Sequence, residues 1–488
     1  MLGTALLLFA LQDLSSFEKT VTEHRLSNGM TFLIVERHEV PVVSFHLYAD
    51  VGSVDEEVGQ TGMAHMFEHM AFKGTPDIGT RDYAREKEAL DRVDEAYRLL
   101  RQAKLSKKPD PALIEERERA VRAAETEAGE YAMSEELTQV IEQAGGAGLN
   151  ASTSNDATRY YLSLPSNKAE LWFSLESARF LEPVLREFYK ERDVVMEERR
   201  MRVESQPVGK LVSNMLSLAY RAHPYGREGI GWRSDLENLT RWKAQEFFEK
   251  HYVPETLTAV IVGDVDPRQI VAWAEAYFGR LPRRERAEPL LTEEPAQEGP
   301  RWTTVRAQSQ PVLLIGYHKP SALHEDDAVF DAVQDVLSGG RTSRIYRSLV
   351  QDKRISAGAG GFPGFPGNKY PNLFLFFSFP APGHDNDENE KAMLAEIEKL
   401  KSELVTEEEL SRVKARARAQ LVDDLDSNTG LAAQLAVYHV LTGDWRNLFR
   451  RLEAIDKVSR EDIKRVATEY FTESNRSLAY LVPEGEGQ

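Results

Sequence analysis

Cysteine is absent from the chain, which excludes disulfide frameworks, thiolate metal sites, iron–sulfur clusters and cysteine catalysis. Any metal must be held by His, Asp or Glu. Long apolar runs are also missing: apart from one short N-terminal segment, nothing approaches the roughly 20 residues that a membrane-spanning helix needs, so no stable membrane insertion is expected. Positive charge is in deficit, with 61 Lys and Arg against 79 Asp and Glu and a net charge of −18. A nucleic-acid-binding surface is not expected on that balance. What remains is 41% hydrophobic over 488 residues, too apolar for a disordered chain and too long for one core, which stops growing near ~250–300 residues. At least two domains follow.

The short apolar segment is 2–11 (LGTALLLFAL), ahead of Gln12-Asp13. It suits the apolar core of a secretory signal, and residues 1–14 are read as one, with an exported, periplasmic or extracellular product. A basic stretch before it and a small-x-small cleavage site after it are lacking, and an apolar N-terminal helix or an imprecise start codon has the same composition.

The body opens on two β-rich runs, 30–36 (MTFLIVE) and 40–51 (VPVVSFHLYADV), read as a strand pair joined by a polar turn. A Gly-rich acidic loop then leads into a helical-looking apolar segment, 63–72. From 82 to 143 the composition shifts to Glu, Lys, Arg and Ala, with apolar residues at helical spacing and a break at Lys107-Lys108-Pro109-Asp110-Pro111. This pattern predicts a protruding antiparallel helical hairpin with a mostly solvated face. An extended segment, 149–164, and several helices follow. Residues 281–300 are charged and Pro-rich with little periodicity, which marks a linker.

The second half repeats the first. Residues 240–263 align without gaps to 459–482, as helix, aromatic pair and strand; the strand at 41–51 resembles 311–319, and the helix ending at Gly74 resembles the one ending at Gly339. The fold expected is α+β: two related domains, 17–280 with the hairpin inserted and 301–485, joined by the linker.

One constellation carries chemistry. His65-Met66-Phe67-Glu68-His69 lies on the apolar helix, and residues i and i+4 share a helix face, so both imidazoles can address one ion with Glu68 beside them. This is the reverse order of the more familiar zinc-protease helix. Zinc suits such a pair, and a catalytic site needs a third protein ligand. The alternative is two core histidines bonded to backbone carbonyls. The run Glu191-Arg192-Asp193-Val194-Val195-Met196-Glu197-Glu198 offers Glu191 and Glu198 two helical turns apart, with Val194 and Val195 between them on the side expected to face inward. Spacing alone fits a solvated charged helix equally well.

These residues resemble the pitrilysin/insulinase-type inverted zincins, the family that includes mitochondrial processing peptidase. The resemblance spans nearly the whole chain after the leader. It rests on His65–His69 running into Met70-Ala71-Phe72-Lys73-Gly74-Thr75, on Leu149-Asn150-Ala151-Ser152-Thr153-Ser154 with Thr158 and Tyr160, on Glu191 through Glu198, and on the duplicated halves. It implies a two-domain metallohydrolase fold of the processing-peptidase type. It also implies that His65, His69 and Glu198 bind zinc, that Glu68 is the general base, and that Glu191 supports the site without touching the metal. Asn150 and Ala151 resemble the family's substrate-binding edge; read without the family, they are an ordinary Asn-containing strand start after a Gly-rich turn.

Two departures stand out. The hairpin lengthens the stretch between His69 and Glu198, with no role assigned. The second half lacks the metal motif, since Phe330, Val333 and Gln334 fall where His65, Glu68 and His69 sit; one zinc per chain follows. Arg341, Arg344 and Tyr346 are candidates for transition-state contacts by location only. His46, His223, His318 and His439 read as structural. The expectation is a zinc metallopeptidase acting on short or unfolded polypeptides in a chamber between domains. A chain with two domains would work as a homodimer, or as a heterodimer with a metal-free family member. The competing class is a non-catalytic scaffold or partner subunit.

Overall fold

The computed structural model describes residues 17–485, so the apolar segment 2–11 lies outside the described residues. Two sheets form its frame. The first contains β1 (Val21–Arg25), β2 (Thr31–Glu36), β3 (Val42–Ala49), β4 (Ala147–Thr153), β5 (Thr158–Pro165) and β6 (Leu257–Gly263), in the order β1-β2-β6-β3-β5-β4. The second contains β7 (Arg301–Ala307), β8 (Val312–Lys319), β9 (Ser356–Phe365), β10 (Asn372–Pro380) and β11 (Arg476–Pro483), in the order β7-β11-β8-β10-β9. Without β1 the two orders are the same. In each sheet the last strand of its half inserts between the first two, parallel to one and antiparallel to the other: Val262 opposes Val35 and Ser44, and Leu478 opposes Trp302 and Ile315. The duplication read from the sequence is therefore a duplication of topology.

That insertion corrects the expected strand pair. β2 and β3 do not touch as neighbours, because β6, more than 200 residues later, lies between them. A short polar turn predicts a hairpin only when no other strand has a better claim to the gap. β6 (LTAVIVG) is buried along its whole length, as expected of a central strand covered on both faces.

The helices that matter are α1 (Met63–Met70), α2 (Tyr83–Lys104), α3 (Pro111–Gly129), α4 (Phe188–Arg199), α5 (Pro207–Ala219), α6 (Asp327–Ser338), α7 (Asn428–Thr442) and α8 (Asn447–Lys457). α2 and α3 are the hairpin. Asp82 caps α2 through Arg85 N–H, and Asp110 caps α3 through Ala112 N–H with Pro111 in the first turn. Contacts between Arg92 and Glu127 and between Lys104 and Glu118 show that the two run antiparallel.

One face of each sheet packs on helices of its own half. The other face is covered from the opposite half. Leu431, Leu435, Leu448 and Phe449, on α7 and α8, pack against Leu33, Val35, Val260 and Val262 of the first sheet. Leu211, Met215, Leu216 and Ala219 of α5 pack against Val312, Leu314, Leu373 and Leu481 of the second. Each buried side chain of this size contributes about 1.5–3 kcal/mol, so the seam holds the halves as one body. The segment 281–300 has no regular structure but is fastened across it: Glu294 accepts from the backbone N–H groups of Arg221, Ala222 and His223, and Gln297 donates to Arg476 O at 2.8 Å. Among the described residues, no helix is long and apolar enough to cross a membrane.

Candidate metal centre

Gly62 precedes α1 as its N-cap, and its φ of 89° is the left-handed region that favours glycine. A Cβ there would come within 2.6 Å of Leu236 Cδ2 and 2.7 Å of Ile230 O. Two free N–H groups of the first turn are met by Glu56, which accepts from Gly62 N at 2.9 Å and Ala64 N at 2.8 Å. Full burial pushes Glu56 up to about 8 in spite of those bonds. Met63, Ala64, Met66 and Phe67 enter the core. That packing fixes the rotation of the helix and turns His65, Glu68 and His69 toward α4.

The two imidazoles meet edge to face, with ring centroids 4.9 Å apart. Glu198 completes the group: its Oε2 lies 3.3 Å from His69 Nε2 and 3.7 Å from His65 Nε2. His65, His69 and Glu198 each offer a ligand atom within 4.8 Å of the others, and they are the only such group of three among the described residues. Donors held at zinc's usual 2.0–2.1 Å around a tetrahedron stand about 3.3–3.4 Å apart. The donor types suit that ion, and the Glu198–His69 distance matches this spacing while the Glu198–His65 distance is wider. Burial lowers the pKa of His65, against the pull of Glu198, and so favours the neutral ring that a metal requires. Burial also lowers His69, but the hydrogen bond to Glu191 and the charge of Glu198 outweigh it, and the net direction is upward.

Glu191 sits one step outside the three converging atoms. Its Oε2 is 3.3 Å from His69 Nδ1, and its Oε1 is 2.5 Å from Lys73 Nζ. Burial raises its pKa, yet the bonds from His69 and Lys73 bring it below the ordinary value. Lys73 also reaches Glu187 Oε2 at 3.2 Å. This lysine was not singled out as a site residue in the sequence; it lies in the turn beyond the end of α1, where no helical period assigns it a face. Glu68 is half-buried on the same helix, and its charge acts on both imidazoles.

The sequence argument for α4 holds in part. Val195 is fully buried, whereas Val194 is 45% exposed. The inward stripe is Glu191-Val195-Glu198, a spacing of four and three, and Val194 sits beside it facing solvent.

Asn150 and Ala151 lie on β4, the edge strand of the first sheet, against which α1 packs. Asn150 is exposed and its Oδ1 accepts from Ala151 N–H at 2.8 Å, while Ala151 is buried opposite Tyr160. The extended segment is a hairpin, β4 and β5, with Ser154 to Ala157 at its turn. In the second half, Phe330 and Val333 are core residues of α6. Arg344 is committed to a two-pronged pair with Glu409, at 2.8 Å for both bonds, and Arg341 is exposed. His223 caps a turn through Tyr225 N–H, and His318 faces Ala219 O.

The chain is similar to known proteins along nearly its whole length. Residues 31–98 and 126–231 match the model of the insulinase family, peptidase family M16, and residues 238–417 match that family's inactive domain. The first match is interrupted over 99–125, the end of α2 and most of α3. The zinc protease PqqE of Helicobacter pylori is 27% identical over 467 residues, covering 94% of this chain and 92% of that one. An uncharacterized zinc protease of Mycobacterium leprae is 24% identical over 91% of this chain and 87% of its own length. Among solved structures, a protease from Helicobacter pylori superposes with a TM-score of 0.79 at 26% identity, covering 95% of this chain and 99% of that chain. The first half of the periplasmic protease PqqL from Escherichia coli shares the fold, with a TM-score of 0.70 at 17% identity over 95% of this chain and 92% of that one.

Proposed function

The chain belongs to the insulinase (M16) peptidase family, and on that premise we propose that it is a zinc-dependent endopeptidase with one zinc per chain. The observation that carries this reading is Glu198 Oε2 facing both imidazole Nε2 atoms, with Glu68 left outside the ligand set. Zinc, when bound, supplies a Lewis acid that polarises the scissile carbonyl and acidifies the attacking water. Glu68 takes the proton of that water and returns it to the leaving amine. Glu191 receives the Nδ1–H of His69 and so holds the ring with Nε2 toward Glu198. An extended peptide adds to the open edge of β4 along Asn150 and Ala151, with main-chain hydrogen bonds giving affinity.

The substrates on this reading are short or unfolded polypeptides enclosed between this chain and a second unit, either another copy or a metal-free relative. Export is supported by the apolar stretch 2–11 and by the likeness in fold to PqqL, a periplasmic protease. The test is cleavage of a quenched peptide with zinc, with chelator, and by Glu68→Gln. Glu68→Gln should bind zinc like the parent and lose about 10²–10⁴-fold in turnover. Equal cleavage by parent and variant, or cleavage that chelator leaves untouched, would remove the proposal.

A further inference from the structure

The two oxygens of Glu198 have different partners. Oε2 faces the imidazoles, while Oε1 meets Arg202 Nη1 at 2.5 Å. Arg202 lies beyond the end of α4, in a widened π-type turn, Arg200–Glu204, that Ser205 N–H closes onto Arg200 O at 2.8 Å. Turns of this kind redirect side chains and recur at functional sites. Three arginines crowd this short stretch, and they are not equivalent. Arg199 is buried against Glu228 and Gly231, and Arg200 pairs with Glu197 on the outer surface. Arg202 alone of the three addresses the metal carboxylate. Its side chain is 71% exposed, so it fills no core and its ion pair adds little to folding stability. What the contact provides is direction.

We propose that Arg202 is a positioning residue that keeps Glu198 a one-oxygen ligand. The inference rests on the zinc reading above. A carboxylate can approach a cation through one oxygen or both, and a four-coordinate catalytic site must keep one position free for water and substrate. A second oxygen from Glu198 would fill that position. The charge-assisted bond from Arg202 holds Oε1 away from the imidazoles and leaves only Oε2 to converge with them.

The experiment compares the parent, Arg202→Met and Arg202→Lys after loading with zinc and, separately, with cobalt(II), whose visible absorption is stronger in four-coordinate than in five-coordinate sites. Arg202→Met should melt like the parent and retain metal, with a weaker cobalt band. Its kcat should fall about 10-fold or more while KM changes less. Arg202→Lys should recover part of both the band and the rate. A metal-loaded Arg202→Met with the parent's cobalt spectrum overturns the proposal; a rise confined to KM with that same spectrum also overturns it and makes Arg202 a substrate contact. A parent chain that takes up neither metal fails at the earlier step, the zinc reading, and is recognised before any variant is made.

Discussion

At the scale of residues, the site is a chain of paired charges rather than three isolated side chains. Lys73 holds Glu191, Glu191 holds His69, and His69 and His65 converge on Glu198. His65 differs from His69 in this respect, since its Nδ1 is buried without a hydrogen-bond partner. Orientation from outside therefore acts on one ring of the pair. Glu191→Gln weakens the acceptor for His69 and leaves Lys73 less well paired; zinc affinity should fall about 10–100-fold, as read by competition with a chromophoric chelator. A variant binding as tightly as the parent would show that Glu191 serves the fold alone. The two histidines and Glu68 were legible in the sequence because the i, i+4 period of a helix is a local property. Lys73 and Arg202 were not, because their roles depend on partners that only packing brings near.

At the scale of elements, the hairpin is more than a solvated excursion. Its outer pairs, such as Arg92 with Glu127, are exposed as expected. The inner face of α2 is not: Ala89, Leu90 and Val93 join the first core, Tyr97 stacks on Tyr189 of α4 at 3.5 Å, and Asp94 pairs with Arg241. Glu86 on α2 meets Arg186, which is fully buried just before α4 and also donates to the carbonyls of Thr75 and Ile78 in the loop after α1. The base of the hairpin thus ties the helix that carries His65 and His69 to the helix that carries Glu198. Glu86→Ala strands a buried guanidinium and should cost about 3–5 kcal/mol in urea unfolding. Alanine at both Arg92 and Glu127 should change the unfolding midpoint little. If the two variants behave alike, the base of the hairpin is no brace. Composition marked the segment as helical and charged; it carried no sign that two of those carboxylates, Glu86 and Asp94, are buried.

At the scale of the molecule, the halves cover each other, and the seam has an acid-sensitive point. Ser44, His46 and Tyr48 alternate on one face of β3, and Ser44 reaches Thr429 on α7 at 3.1 Å. His46 lies buried there, stacked on Tyr161, with neither ring nitrogen hydrogen-bonded. Burial, with a smaller push from Arg159, lowers it to about 4. Its unfolded value is near 6.5, so the unfolded chain binds the extra proton first. Stability from this group is whole above pH ~6.5 and is lost as pH falls toward ~4. His46→Phe should flatten the acid limb of a plot of unfolding free energy against pH; an unchanged limb would place the sensitivity elsewhere.

The sequence by itself determined what is local or repeated: the helix that presents His65, Glu68 and His69, the two helices of the hairpin with the break between them, and the helix–strand unit that recurs in the second half. Each follows from short-range periodicity or from comparing the chain with itself. The tertiary structure alone decided that β6 separates β2 from β3, that Val195 rather than Val194 faces inward, that Glu198 reaches the histidines, and that each half shelters the other's sheet. Those outcomes turn on which apolar faces find each other across hundreds of residues. Burial is a property of the assembled surface, and no window of sequence contains it.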